Sequence, residues 1–374
     1  REAKGMNNAR HEIHEPLVRI AKRGEMAVWK TWVIRIAAIF LALITGAVII
    51  TLLGHNPVAV YADMVTGSVA TKTSRVATMK IFIPLLGAAI AIAPAFKMRF
   101  WNIGAEGQIL AGAIAATYFA LFQYQNLSRP VLLFVMFLAA AVAGGIWALI
   151  PAAFKARFDT NETLFTLMLN YVAVGIVKYL RMGPWRSPTS AGFPKIDMID
   201  QSARMPLVFG VNVGWILVLV LAVLMYVYIR YTKQGYEISV VGESVNTARY
   251  AGMSVGRIIV RTVFLSGAVA GVVGFLIVSG SAYTLSDTTS GGYGFTAITV
   301  AWLAKLNPIV MIIITAFLAI LTKGANTIQT NFKIPASASS VLIGLILFFM
   351  LGCEFFISYR LIFRKGKKRE VARQ

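Results

Sequence analysis

Apolar runs of bilayer-crossing length recur along the whole chain, separated by short polar or basic stretches. A transmembrane helix needs about 20 predominantly apolar residues. Residues 32–54, 81–96, 130–154, 162–180, 215–229, 262–282, 309–322 and 339–363 form such runs, and another starts in the polar stretch at 100–108 and continues to 122. The run at 295–306 is unusually short, which predicts a half-span or a broken helix. The pattern therefore predicts an all-α, polytopic helical membrane protein of about ten transmembrane helices. Both termini fall on the same side. Pro84 and Pro94 interrupt the second run and predict a broken span. Residues 55–80 read as an outer loop, in which Val58, Tyr61, Ala62 and Val65 fall at i, i+3, i+4 and i+7 and predict an interfacial amphipathic helix.

Composition strengthens this reading. Of 374 residues, 58% are hydrophobic and 14% charged, against roughly a quarter charged in soluble domains. Segments of barrel-strand length are absent from the pattern, so a helical bundle is the spanning architecture it allows. A formal charge of +21 would suggest nucleic acid in a soluble chain. Here most of the Lys and Arg sit at one set of run ends, as the positive-inside rule expects, so the charge reports topology and no nucleic-acid partner is expected. The organisation is then a cytoplasmic segment at 1–30, a transmembrane domain at 31–363 and a basic cytoplasmic tail at 364–374. An inner loop spans 230–261, and an outer loop with Pro184, Pro188, Pro194 and Pro206 spans 181–214. No cleavable signal peptide is expected, because the first 30 residues are polar and the first apolar run is long. Cys353 is the single cysteine, so no disulfide forms within the chain.

The stretch Phe100-Trp101-Asn102-Ile103-Gly104-Ala105-Glu106-Gly107-Gln108 sets amides, a carboxylate and two glycines between apolar runs. A carboxylate at membrane depth costs about 2.5–3.5 kcal/mol even on lenient scales. Irregular backbone there is tolerated only when covered by protein or lining a wet cavity. Glu106 either belongs to a pathway or opens a helix, where acids are favoured, and Asn102 is a candidate N-cap of that helix. Asn170, with Thr166 one turn earlier, is either an interhelical link or a ligand contact. Glu162, after Asn161, reads as a helix start. Glu354 in the last run is expected near the inner interface, paired or snorkelling. Gly267, Gly271 and Gly274 predict a close-packing face.

Several chemistries are excluded. No Gly-x-x-x-x-Gly-Lys-Ser/Thr occurs, so this chain has no phosphate cradle of that kind, and Ser290-Gly291-Gly292-Tyr293-Gly294 reads as an outer loop. His11, His14 and His55 are the only histidines and none lies in an apolar run, which leaves no catalytic triad. His11 and His14 with Glu12 and Glu15 read as a solvated tail rather than a metal site. An intramembrane enzyme is disfavoured. So is an ion-coupled secondary transporter, which would need several acids within the spans.

In the inner loop, Ser244 is a candidate N-cap and Gly252 a C′ residue, bracketing a helix of about two turns. Val241, Val245, Ala248 and Ala251 supply an apolar side, and Glu243, Asn246, Arg249 and Tyr250 a polar one. A helix this short is marginal in water, so it needs something to dock on.

Taken in order, the 100–108 stretch, Asn161-Glu162-Thr163 with Met168-Leu169-Asn170-Tyr171, Gly235-Tyr236-Glu237-Ile238, Val241-Gly242-Glu243, Asn246-x-Ala248-x-x-Ala251-Gly252, and Gly292-Tyr293-Gly294-Phe295 with Leu306-Asn307-Pro308 give the chain its resemblance. It resembles the permease subunits of bacterial ABC importers for branched-chain amino acids, ribose-type sugars and nucleosides, over about residues 80–310. Asn-Ile-Gly-Ala-Glu-Gly-Gln and Gly183-Pro184-Trp185 are most similar to the nucleoside or simple-sugar branch, while Trp101 departs from the smaller residues common there. The resemblance implies import of nucleosides by alternating access in the bacterial cytoplasmic membrane, or of a simple sugar such as ribose or galactose. It implies a second, related permease chain, two cytoplasmic ATP-binding subunits that hold ATP and Mg, and an extracytoplasmic binding protein. No cofactor is expected in this chain itself. Asn102, Glu106, Gln108, Asn170 and Phe295 become pathway candidates. Glu243, Ser244, Asn246, Arg249, Tyr250 and Gly252 become the coupling helix that seats in an ATPase.

Overall fold

The computed structural model describes residues 18–24, 27–190 and 192–363; His11, His14 and the basic tail from Arg364 lie outside them. The described helices are α1 (Val28–Leu52), α2 (Pro57–Val69), α3 (Lys72–Lys97), α4 (Ala105–Phe122), α5 (Arg129–Phe158), α6 (Glu162–Met182), α7 (Gly214–Tyr231), α8 (Lys233–Glu243), α9 (Val245–Tyr250), α10 (Val255–Ile277), α11 (Tyr293–Leu303), α12 (Pro308–Asn331) and α13 (Ala336–Ser358). Nine of them are long and apolar enough to cross a membrane. The expected tenth span falls on α11, whose 11 residues rise only about 16 Å, too short to cross a hydrocarbon core of about 30 Å.

Two units emerge from the contacts: Ala47–Gly344, and a smaller one joining the first 46 residues to those from Leu345 onward. In the smaller unit β1 (Val18–Lys22) pairs antiparallel with β2 (Tyr359–Phe363). The last apolar run therefore ends as a strand rather than continuing as helix to 363. Arg35 of α1 donates to Glu354 of α13 (Nε–Oε1 3.0 Å), which supplies the pairing expected for an acid in that run.

The larger unit is built on α3 and α10. Residues 82–96 are buried without a gap, and α10 is buried over most of its length. Pro84 and Pro94 do not break α3, which runs through both. Surrounding helices enclose it, and a membrane helix tolerates proline where its neighbours cover the freed backbone. The glycine face of α10 is realised as predicted. A Cβ on Gly271 would collide with the carbonyl of Ala140 on α5, and one on Gly144 would lie 2.6 Å from Gly271 Cα. Bare backbone is what lets these helices touch.

Residues 55–80 differ from expectation. They are not a surface loop: α2 packs on α12, and α3 starts at Lys72. The buried face of α2 carries Val60, Met64 and Ser68, whereas Val58 and Val65 are exposed. The predicted helix exists with its apolar side rotated toward α12: Val60 and Met64 share a buried cluster with Ala325 and Ile328, and Ser68 bonds the Ile320 carbonyl (2.8 Å). Lys155 and Arg157, which follow the apolar run at 130–154, occupy the last turn of α5.

Candidate functional site

Glu106 lies in the first turn of α4, about halfway along the bundle. Its neighbours fix that depth. Gly107 N donates to Asn170 Oδ1 (2.8 Å), and Asn170 stands eight residues into α6, about 12 Å from its start. Asn102 Nδ2 donates to Ser266 Oγ (3.2 Å), and Ser266 stands eleven residues into α10, about 16 Å from its start. The chain thus returns to mid-bundle between the end of α3 and the start of α4 without a helix.

A second irregular stretch comes from the opposite end. After α10 a π-helical turn, Val278–Ala282, leads to Tyr283 in the left-handed region (φ 57°). Residues 284–292 then descend to Glu106. Gly292 N donates to its Oε1 (2.8 Å), and Gly294 N to its Oε2 (2.7 Å). These amides open α11, where a negative charge also meets the helix dipole. Glu106 is 6% exposed, so two charge-assisted hydrogen bonds offset its desolvation. A Cβ on Gly294 would sit 2.6 Å from Oε2, so only glycine admits the carboxylate there. The Gly291–Gly294 segment is accordingly not the surface loop predicted. Its amides are drawn inward by the buried acid.

Around this acid the remaining polar candidates satisfy one another. Asn102 and Gln108 exchange amide bonds, Nδ2 to Oε1 at 3.1 Å and Nε2 to Oδ1 at 3.0 Å. Asn170 Nδ2 donates to the Ile103 carbonyl (3.0 Å). Asn102, Gln108 and Asn170 are all nearly fully buried, so Asn170 acts as the interhelical link. Asn102 is not the N-cap of α4; that position is Gly104, whose amide donates to Asn102 Oδ1 (3.1 Å), because pairing with Gln108 and Ser266 holds Asn102 two residues earlier. Phe295 stands apart on the outward face of α11, 45% exposed. Trp302 shares that face and stacks on Trp101 at 5.6 Å.

The second candidate region lies at the bundle end that carries α8 and α9. Ser244 caps α9, accepting from Thr247 N (3.2 Å), and Gly252 closes it at φ 75°, as its spacing predicts. Gly242 packs on the Lys97 carbonyl, and Ile238, Val241 and Ala248 join the cluster beneath. Val245 and Ala251 do not join the apolar side as predicted; both are exposed. The extended backbone of Ser244 (φ −157°, ψ 116°) ends α8 and restarts the helix on a new axis, which turns them out. Tyr250 is 93% exposed, with Glu243, Asn246 and Arg249 also at the surface.

The profile of the family "Branched-chain amino acid transport system / permease component" matches residues 74–351. This chain belongs to that family. The permease is 32% identical to a glucose ABC transporter permease of Haloferax volcanii, over 90% of this chain and 92% of that one. It is 29% identical to a guanosine ABC transporter permease of Bacillus subtilis, over 89% and 95%, and 28% identical to a nucleoside ABC transporter permease of Lactococcus lactis, over 90% and 94%. It is a multi-pass membrane transport subunit.

At the end of the permease opposite α9, the last turn of α6, which holds Arg181, and the connection from there to α7 are stitched to the descending segment. Met205 N donates to the Ser279 carbonyl (3.0 Å) and Ile199 N to that of Tyr283 (2.9 Å). Asn212 Nδ2 reaches the Gly280 carbonyl (2.9 Å), and Arg181 Nη1 pairs with Asp287 Oδ1 (2.6 Å). Nothing in the sequence pairs Arg181 with Asp287 or Glu106 with Gly292, since each contact joins residues more than a hundred positions apart. The one legible signal is that both breaks are glycine-rich. Arg181→Ala is expected to lower stability by about 1 kcal/mol, read as the melting temperature of purified permease, and the swap R181D/D287R to regain part of it.

Proposed function

We propose that the permease is the transmembrane subunit of an ATP-driven importer for nucleosides, moved by separate ATPase subunits that dock on α9. The observation that carries this reading is α9 itself. Ser244 and Gly252 fix its ends, Ala248 anchors it, and the side chains of its Asn246, Arg249 and Tyr250 face away from the bundle with no hydrogen bond or ion pair among the described residues. A helix of this length in water needs such a partner. The basic run ends support a cytoplasmic placement of that side, which leaves the 181–214 loop on the side of an extracytoplasmic binding protein. A second, related permease chain completes the pathway, with Phe295 and the Glu106 hub toward it. Alternating access then follows if ATPase closure favours one of two arrangements of the hub.

Two relatives named for guanosine and nucleosides, together with Gly183-Pro184-Trp185, support nucleosides as the cargo. The glucose permease relative supports a simple sugar as the second reading. Reconstitution with the cognate ATPases and binding protein tests this: nucleosides should stimulate ATP hydrolysis and uptake, and glucose should not. Stimulation by glucose alone would overturn the nucleoside assignment. The double substitution Glu243→Ala/Arg249→Ala is expected to cut uptake about tenfold while ATP hydrolysis persists. Undiminished uptake would remove α9 from the coupling path.

A further inference from the structure

A cavity of about 850 Å³ opens at the α9 end of the permease, between the α3–α4 connection, the end of α5, the α8–α9 junction and the start of α10. Four basic residues line it: Arg99, Lys155, Arg157 and Arg249. Only one of them is neutralised locally. Lys155 holds both Asp159 (2.6 Å) and Glu162 (3.1 Å), and its hydrogen bond, then its charge and more weakly that of Arg249, hold the Asp159 carboxyl below the usual carboxylate range. Among the described residues Arg99, Arg157 and Arg249 form no ion pair, and all three are exposed.

Two of the walls are set by backbone that side chains seldom adopt. Arg99 follows the end of α3 at φ 59° and Asp159 ends α5 at φ 50°; such residues cluster where a geometry is over-determined by its surroundings. The bond from Phe100 N to the Ala95 carbonyl (3.0 Å) and the burial of Phe100 beneath it fix where Arg99 leaves the chain. Exposed apolar surface adjoins the arginines: Phe158 at 64% and Val245 at 40%.

We infer that this cavity receives a carboxylate side chain, flanked by apolar groups, from the ATPase subunit, so that the docking surface reaches beyond α9 to Arg99 and Arg157. This rests on the reading of the permease as an ATPase-driven subunit. The charge pattern favours a protein occupant over an acidic phospholipid. Asp159, Glu162 and Glu243 stand among the arginines and oppose a diffuse anionic surface. A partner with one acid in a fixed position meets the guanidinium groups and avoids those carboxylates. Arginine also suits it, since its planar fork binds a carboxylate in two-pronged fashion. Because α5 and the α3–α4 connection both lead into the bundle, the occupant would engage α9 and the approach to Glu106 together.

The test uses the full permease purified from membranes with its cognate ATPase subunits. Arg157→Glu and Arg99→Glu should each weaken ATPase retention at least tenfold, with the variant still inserted and monodisperse. Arg257→Glu, the same charge change one residue beyond the cavity wall, should retain the ATPase. Restoring retention of R157E with an acid-to-Lys change on the ATPase surface would identify the occupant. If wild type retains the ATPase and R157E and R99E retain it equally, this inference falls while the functional reading stands. The same holds if those variants instead lose affinity only for vesicles containing phosphatidylglycerol. If wild type retains no ATPase, the functional reading falls and the inference falls with it.

Discussion

Glu106→Ala is expected to abolish most uptake and to destabilise the permease by about 3 kcal/mol. Two amide donors at the start of α11 would lose a charged acceptor deep in the bundle, and each hydrogen bond to a charged group is worth about 1.5–3 kcal/mol. Glu106→Gln should fall between, because its carboxamide accepts from only one of the Gly292 and Gly294 amides and turns a donor toward the other. Gly294→Ala approaches the same point from the other side: its Cβ would lie 2.5 Å from Glu106 N and 2.6 Å from Oε2, displacing the carboxylate without removing it. Uptake in proteoliposomes and the melting temperature in detergent read both effects. Wild-type values for Glu106→Ala in both assays would show that the acid merely decorates a helix start.

The largest structural effect is expected at the crossing of α10 with α5. Gly271→Val would drive a branched side chain into the Ala140 carbonyl and the Gly144 backbone. Overpacking a tight core usually costs about 1–3 kcal/mol. Here the obstacles are main-chain atoms of another helix, so the cost is expected at or above the top of that range. Folded, monodisperse protein should fall several-fold in yield. Gly175→Val is the matched control, since nothing lies within 4 Å of the added Cβ. Equal yields from the two variants would mean that close approach at Gly271 contributes little.

The spans, the short α11, the caps of α9 and the glycine face of α10 were legible because each depends on local composition or on helical period. Period and length identify a helix without knowledge of its neighbours. The continuous α3 was not legible, because proline's effect depends on what encloses it, and enclosure is tertiary. Nor was the rotation of α2, whose buried face packs on α12, far away in the chain. For the hub, the individual residues stood out, Glu106 and Asn170 above all, yet their partners did not. The sequence presents Asn102 as a cap or as a pathway residue, and only the positions of Ser266 and Gln108 reveal the bonds it makes instead.

The bonds that tie the 181–214 loop to the turn after α10 limit what can be exchanged between relatives. Backbone amides at Ile199 and Met205 grip the same segment whose far end supplies Gly292 and Gly294 to Glu106. A graft of that loop alone would arrive with its moorings mismatched and slacken the hold on the buried acid. Transplanting the binding-protein contact proposed for this loop therefore requires residues 278–294 to travel with it as one cassette.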